Sequence, residues 1–252
     1  MSGPERVEKG SWLQGQPGKC LRNEPYPHQP LRMVLLGPPG VGKGTQASFI
    51  SEWYQACQLS TGDVFRAARC CKAEELSPVL KLAMEKMDRG DLVSDDTVID
   101  MVRERSHCLT CQYGFLLDGF PRTRAQAEAL DGVLLDLGLS LDAVISYTLD
   151  DEEIVRRLSG RLTCLACNRT FHTVFNPPDP VQPCAQGGCD LYQRDDDQPE
   201  AIRTRLKNYH AATEPLEAYY AEQGLLVSIA ADAPPDAVFK RTQDALAKAL
   251  RV

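Results

Sequence analysis

A chain of 252 residues with 43% hydrophobic and 25% charged content can bury one sizeable α/β core with insertions, or two small ones, and has the composition of a globular protein. Its formal net charge of −7 argues against a general nucleic-acid binder, whose footprint is basic, while leaving room for positive charge gathered in one cleft. No apolar run approaches membrane-spanning length, so no membrane partner is expected.

Residues 1–30 show poor periodicity and lack the apolar core of a signal peptide, and Glu5, Glu8 and Glu24 are out of place in a transit peptide. They read as a flexible N-terminal extension. Ten cysteines without a secretory signal point to a reducing, cytoplasmic setting, where metal or free-thiol readings come before disulfides.

The apolar run Met33–Leu36 reads as a buried strand. Directly after it stands Gly37-Pro38-Pro39-Gly40-Val41-Gly42-Lys43-Gly44-Thr45-Gln46, a phosphate-binding loop at a strand-to-helix junction. Its glycines let several backbone N–H groups turn toward one anion. The next helix, Lys43–Gln55, adds the positive end of its dipole, and Lys43 adds a mobile charge for the outer phosphates. The pattern implies nucleoside triphosphate binding; the bland alternative is a Gly/Pro turn that binds nothing. Gly44 stands where Ser or Thr commonly supplies a Mg²⁺ ligand, leaving Thr45 as the nearest hydroxyl.

Further strands are expected at Gln58–Ser60, Phe115–Leu117, Ala143–Tyr147 and Leu225–Ile229. Helices are expected at Thr97–Arg105, Arg124–Leu137, Asp151–Leu158 and Glu200–Gln223, the last broken at Pro215. A final helix starts at Pro234–Pro235 with Asp232 as a cap candidate. Alternating strands and helices imply an α/β fold with a five-stranded parallel sheet flanked by helices, its ligand at the carboxyl ends of the strands. Residues 61–94 and 161–194 break the alternation and read as insertions in a core spanning 31–252.

Motifs fall where strand ends should be: Ser60-Thr61-Gly62-Asp63 leading to Arg66, Gly90-Asp91-Leu92-Val93-Ser94-Asp95, and Gly119-Phe120-Pro121-Arg122 with Gln126 a helical turn on. With these separated motifs and the phosphate loop, residues 31–250 resemble the adenylate kinases of the nucleoside monophosphate kinase family. The resemblance implies the P-loop fold with two mobile inserted subdomains. It also implies Mg²⁺-dependent phosphoryl transfer from ATP to AMP giving two ADP, by a monomer. It places ATP against Gly40, Val41, Gly42, Lys43, Gly44, Thr45, Arg157, Arg161, Thr170 and Phe171. It places AMP against Thr61, Arg66, Asp91, Leu92, Val93, Gly119, Phe120, Pro121, Arg122, Gln126, Arg194 and Arg205. Catalysis would rest on Lys43, Arg122, Arg157, Arg161, Arg194 and Arg205, and Asp63 and Asp118 would hold the magnesium water shell. Planar guanidinium groups pair with phosphate oxygens, and the Gln126 amide matches adenine's N6 and N1. Taken singly, Arg66 and Gln126 are also compatible with ordinary surface positions, and Asp118 with a turn cap. Asp196 and Asp197 would orient the arginines or simply begin a helix, and His172 would contact ligand or merely pack. Two alternative activities stay open: another monophosphate or GTP as substrate, and a non-catalytic nucleotide sensor.

Cys164-x2-Cys167, followed by Cys184 and Cys189, could close four thiolates on one tetrahedral metal. This looks like the zinc-bearing lid of some adenylate kinases, with four residues inside the second pair where two are usual. A disulfide or thiols are the alternatives. Cys108-Leu109-Thr110-Cys111 lacks a matching pair and reads as buried or free thiols.

Overall fold

The structure is a computed structural model that describes residues 11–15, 29–69, 71–88, 93–164, 170–174, 177–178 and 190–250. Strands β1 (Leu31–Leu36), β2 (Cys57–Ser60), β3 (Gly114–Asp118) and β4 (Ala143–Thr148) form a parallel sheet with the last strand of the chain, β8 (Leu226–Ala230), in the order β2-β3-β1-β4-β8. The expected fold class is what forms. Successive β1 side chains feed two cores: Val34 and Leu36 join Phe115, Leu117 and Val144 on one face, while Met33 and Leu35 join Leu116, Ile145 and Tyr147 on the other. Burial on both faces is why these strands read as continuous apolar runs instead of alternating ones. From β1 the chain first crosses to the edge strand β2, and β1 ends flanked by β3 on one side and β4 on the other. That divergence opens a crevice at the carboxyl end of β1, where open α/β sheets hold their ligands.

Helices α2 (Lys43–Trp53), α3 (Thr61–Arg69), α4 (Pro78–Asp88), α5 (Asp95–Glu104), α6 (Arg124–Asp136) and α7 (Asp151–Ser159) follow in chain order. Four of them carry side-chain caps: Ser60 Oγ accepts from the Asp63 N–H, Ser77 Oγ from the Leu80 N–H and Thr123 Oγ1 from the Gln126 N–H, each at 3.3 Å, and Asp150 accepts from Glu152 and Glu153. A small antiparallel sheet, β5 (Arg161–Cys164) paired with β6 (Thr170–His172) and β7 (Leu191–Tyr192), buries Cys164 and Phe171 against Leu162 and Leu191. Then come α8 (Pro199–Asn208), α9 (Leu216–Glu222) and α10 (Pro235–Leu250). Among the described residues no helix is long and apolar enough to cross a membrane.

The structure differs from expectation at four places. Helix α2 ends at Trp53, two residues early, and Gln55 takes a left-handed φ of 58°. The break expected at Pro215 begins upstream, in a π-helical turn at Tyr209–Thr213. There the Glu214 N–H reaches back five residues to the Tyr209 carbonyl, a slip that absorbs the donor and space proline denies an α-helix. Asp232 does not cap α10; its carboxylate is drawn to Arg241, two turns into that helix, because a full charge outcompetes a backbone N–H. Finally, residues Ser11–Gln14, inside the segment expected to be flexible, form a short helix, α1, with Trp12 6% exposed.

Candidate active site

The loop after β1 wraps its own lysine. Lys43 Nζ donates to the carbonyl oxygens of Gly37 at 2.6 Å and Pro38 at 2.8 Å. Gly40 and Gly42 take φ of 81° and 103°, conformations open to glycine at little cost. A Cβ at Gly40 would also lie 2.6 Å from Leu158 Cγ, whereas a Cβ added at Gly42 or Gly44 would meet nothing within 4 Å among the described residues, so that side of the loop is open. Val41 is buried and Thr45 exposed.

Across the crevice, β2 and β3 end in register at Ser60 and Asp118. Thr61, 2% exposed, begins α3, whose Asp63 and Arg66 pair with each other. Gly119, with φ of 83°, lets Thr61 Oγ1 and the Arg122 guanidinium crowd its α-carbon; an added Cβ would sit 2.9 Å from the former. Arg122 Nε donates to the Gly119 carbonyl at 2.8 Å, after a cis Phe120–Pro121 bond that buries both rings. Gln126 is 4% exposed. Its Oε1 accepts from the Arg122 backbone N–H at 2.8 Å, and its Nε2 donates to Asp95 Oδ1 at 2.8 Å. Asp95 Oδ2 accepts from Thr123 Oγ1 at 2.7 Å.

A third wall comes from the later insertion and α8. Arg161 at the start of β5 makes a two-pronged pair with Asp197, Nε to Oδ2 at 2.7 Å and Nη2 to Oδ1 at 2.6 Å, and Asp197 is wholly buried. Arg205 Nη1 donates to the Asp196 carbonyl and carboxylate, both at 2.9 Å. Arg194 Nε donates to Thr163 Oγ1 at 2.9 Å.

The three walls share one electrostatic space. The Lys43 ammonium is pushed down to about 8, chiefly by burial, with Arg122, Arg205 and Arg161 acting in the same direction and Asp118 opposing. Burial raises the Asp118 carboxyl, with Lys43 and Arg122 opposing and Asp63 assisting. Arg122 is lowered by burial and then by Arg205 and Arg66, and Arg194 by burial and then by Arg161 and Arg66. Cationic groups from α2, α3, the β3–α6 turn, β5, the approach to α8 and α8 itself thus converge. Such mutual repulsion is relieved by a polyanion.

The family model described as "Adenylate kinase" matches residues 35–225. The adenylate kinase of Salinispora tropica is 47% identical over 216 residues, covering 86% of this chain and 98% of that protein. Those of Archaeoglobus fulgidus (44% over 218 residues, 86% and 99% covered) and Carboxydothermus hydrogenoformans (45% over 218 residues, 86% and 100% covered) are similarly alike. The chain belongs to the adenylate kinase family.

Not every residue singled out in the sequence joins the convergence. Arg157 stands apart: it pairs with Glu153 at 3.0 Å and donates to the carbonyl oxygens of Val41 at 3.5 Å and Ala231 at 3.1 Å, tying the loop to the turn after β8. Thr170 is exposed on β6, whereas Phe171 is turned into the small sheet's own core. The His172 ring packs over Gly160 and accepts from the Val174 N–H. Val93 is half-buried ahead of α5; Asp91 and Leu92 lie outside the described residues. So do Cys167, Cys184 and Cys189, whereas Cys164 is described and buried at the end of β5. Among the described residues no group of three or more His, Cys, Asp or Glu side chains could hold a metal. Cys111 lies with its Sγ 3.5 Å from that of Cys57.

Several residues that shape the site were given no role by the sequence. Asp95 ends the Gly90–Asp95 motif, which did not tell of its hold on Gln126. Thr163, the partner of Arg194, sits at a plain strand position. Thr213 Oγ1 donates to the Arg122 carbonyl at 2.9 Å from the π-turn; only the nearby proline hinted that this helix was irregular.

Proposed function

We propose that this chain catalyses reversible, Mg²⁺-dependent transfer of the terminal phosphoryl group of ATP to AMP, giving two ADP. The observation that carries the reading is the convergence of Lys43, Arg122, Arg161 and Arg205 beside Asp118. ATP lies with its phosphates in the Gly40–Thr45 loop, Lys43 on the outer phosphates and Arg157 and Arg161 on the donor side. AMP lies against Thr61 and Gly119, its phosphate gripped by Arg66 and Arg122 and its base edge read by Gln126. An oxygen of the AMP phosphate attacks the terminal phosphorus in line; that P–O bond forms as the bond to the β-phosphate oxygen breaks, and the electron pair leaves with ADP. The attacking oxygen is already anionic, so no protein base is needed. Positioning and charge neutralisation by Lys43, Arg122, Arg161, Arg194 and Arg205 are what the residues contribute. Asp118 at the end of β3 and Asp63 in the first turn of α3 offer oxygen donors that would suit a hard cation held through water. Bound Mg²⁺ would neutralise charge on the phosphates. Segments 61–94 and 161–194 act as flaps that exclude water from the reaction.

Cys164, Cys167, Cys184 and Cys189 hold a structural zinc in this reading, supported by the spacing of the first pair and by the burial of Cys164 in the β5–β6 hairpin. The protein acts as a cytoplasmic monomer. Measuring ADP formation from ATP plus AMP, then across a panel of monophosphates with ATP or GTP, tests the reaction and its substrates. Absence of phosphoryl transfer across the whole panel, with nucleotides bound, would leave only a sensor.

A further inference from the structure

The family match begins at residue 35, yet α1 lies before it and is built into the molecule. The Trp12 indole N–H donates to the Ser60 carbonyl at 3.0 Å, at the junction where β2 becomes α3. Its ring belongs to the core that holds Leu59, Val64 and Ala68. The Trp12 carbonyl in turn accepts from Arg105 Nε at 2.8 Å. Arg105 is fully buried at the end of α5, where its Nη1 also donates to the Met101 carbonyl at 3.0 Å and to Glu104 at 3.1 Å. Glu104 accepts from Ser77, just ahead of α4, at 2.9 Å. One chain of hydrogen bonds therefore runs from the end of β2 through Trp12 to α5 and α4.

A buried guanidinium is costly unless its donors are met. Among the described residues Arg105 Nη2 has no acceptor, so losing the Trp12 carbonyl would leave a second nitrogen stranded. Gly15 closes α1 over this group with φ of 69°, and a Cβ there would lie 2.8 Å from Nη2. The cover and the arginine fit each other closely.

We propose that residues 11–15 clasp the acceptor-nucleotide side of the site, with Trp12 as a positioning residue acting through Ser60 on Thr61 and Arg66. The inference rests on the assignment of AMP to that side. By holding the β2–α3 junction, α4 and α5 as one body, the clasp pre-sets the acceptor pocket and leaves the phosphate loop untouched.

Steady-state kinetics on the full chain, on a truncation lacking residues 1–15 and on Trp12→Phe, which retains the packing and loses the N–H, test this. The KM for AMP should rise about fivefold in the truncation and less in Trp12→Phe, with kcat and the KM for ATP within about a factor of two. An independent readout uses the two tryptophans in the sequence: Trp53 is 65% exposed at the opposite end of the sheet, so Trp53→Phe leaves Trp12 as the only indole. AMP should then change its emission. An unchanged KM for AMP in a folded truncation, both KM values rising together, or emission indifferent to saturating AMP would each overturn the clasp. Arg122→Ala separates the two readings: if it keeps full turnover, the acceptor assignment fails; if it abolishes turnover while the truncation is normal, only the clasp fails.

Discussion

Lys43 is held by two carbonyl groups and pressed by three arginines, a poor place for a cation until phosphate arrives. Its proton affinity in the folded protein, about 8 against the ordinary 10.5, is depressed, so near pH 8.5 much of the population has shed that proton. A polyphosphate restores it, and ATP binding at pH 8.5 should take up protons. Calorimetry in two buffers of different ionisation enthalpy measures this; equal apparent enthalpies would contradict it. Lys43→Met should remove the uptake and lower turnover by about a thousandfold or more while the protein still folds. Gln126 illustrates a second constraint at this scale. A backbone N–H can only donate and an ionised carboxylate can only accept, so Arg122 and Asp95 leave its amide a single orientation. With AMP placed as proposed, the lone pair and N–H that remain would match adenine's N6 and N1 and mismatch a 6-oxopurine. Asp95→Asn should therefore erode the preference for AMP over IMP by about tenfold in kcat/KM; an unaltered ratio would disprove the locking role.

Elements differ in how openly the sequence declares them. The phosphate loop was legible because glycines at fixed spacing answer a backbone demand that no other residue meets. The central strands β1, β3 and β4 were legible because two-sided burial leaves continuous apolar runs, whereas the edge strands β2 and β8 are buried over only part of their length and signal more faintly. Their ends moved by a residue or so, since hydrogen-bond registers such as Ser60 with Asp118 are set by neighbouring strands. The π-turn was not legible: its register slip is a compromise between Pro215 and the contact of Thr213 with Arg122. Nor was the burial of Arg105, because an arginine on a helical stretch reads as surface until its acceptors, one of them 93 positions away, are known. Gly114 shows how narrow a strand start can be. Its φ is 74° and a Cβ would lie 2.1 Å from the Leu31 carbonyl oxygen, so Gly114→Ala should lose about 2 kcal/mol or more of stability, read by urea denaturation. A wild-type midpoint would show that β1 and β3 can part there.

On the scale of the whole molecule, the acidic total hides a basic interior. The net charge of −7 is a sum over the whole chain that already counts Lys43, Arg66, Arg122, Arg161, Arg194 and Arg205, six cations gathered about one crevice. Composition alone conceals such a division; the spacing of the motifs disclosed it. Metal analysis of protein prepared without chelators should find about one zinc per chain if the four lid cysteines act together, and four titratable thiols without zinc would dismiss that site.

The grip of Asp197 on Arg161 has a consequence for selectivity. Two of the five N–H donors of that guanidinium are committed to a carboxylate sealed from water, which fixes the plane of the group. The donors left over are therefore aimed before any anion arrives. An arm already set in place loses little freedom on binding, and an anion approaching from another direction finds no donor turned toward it.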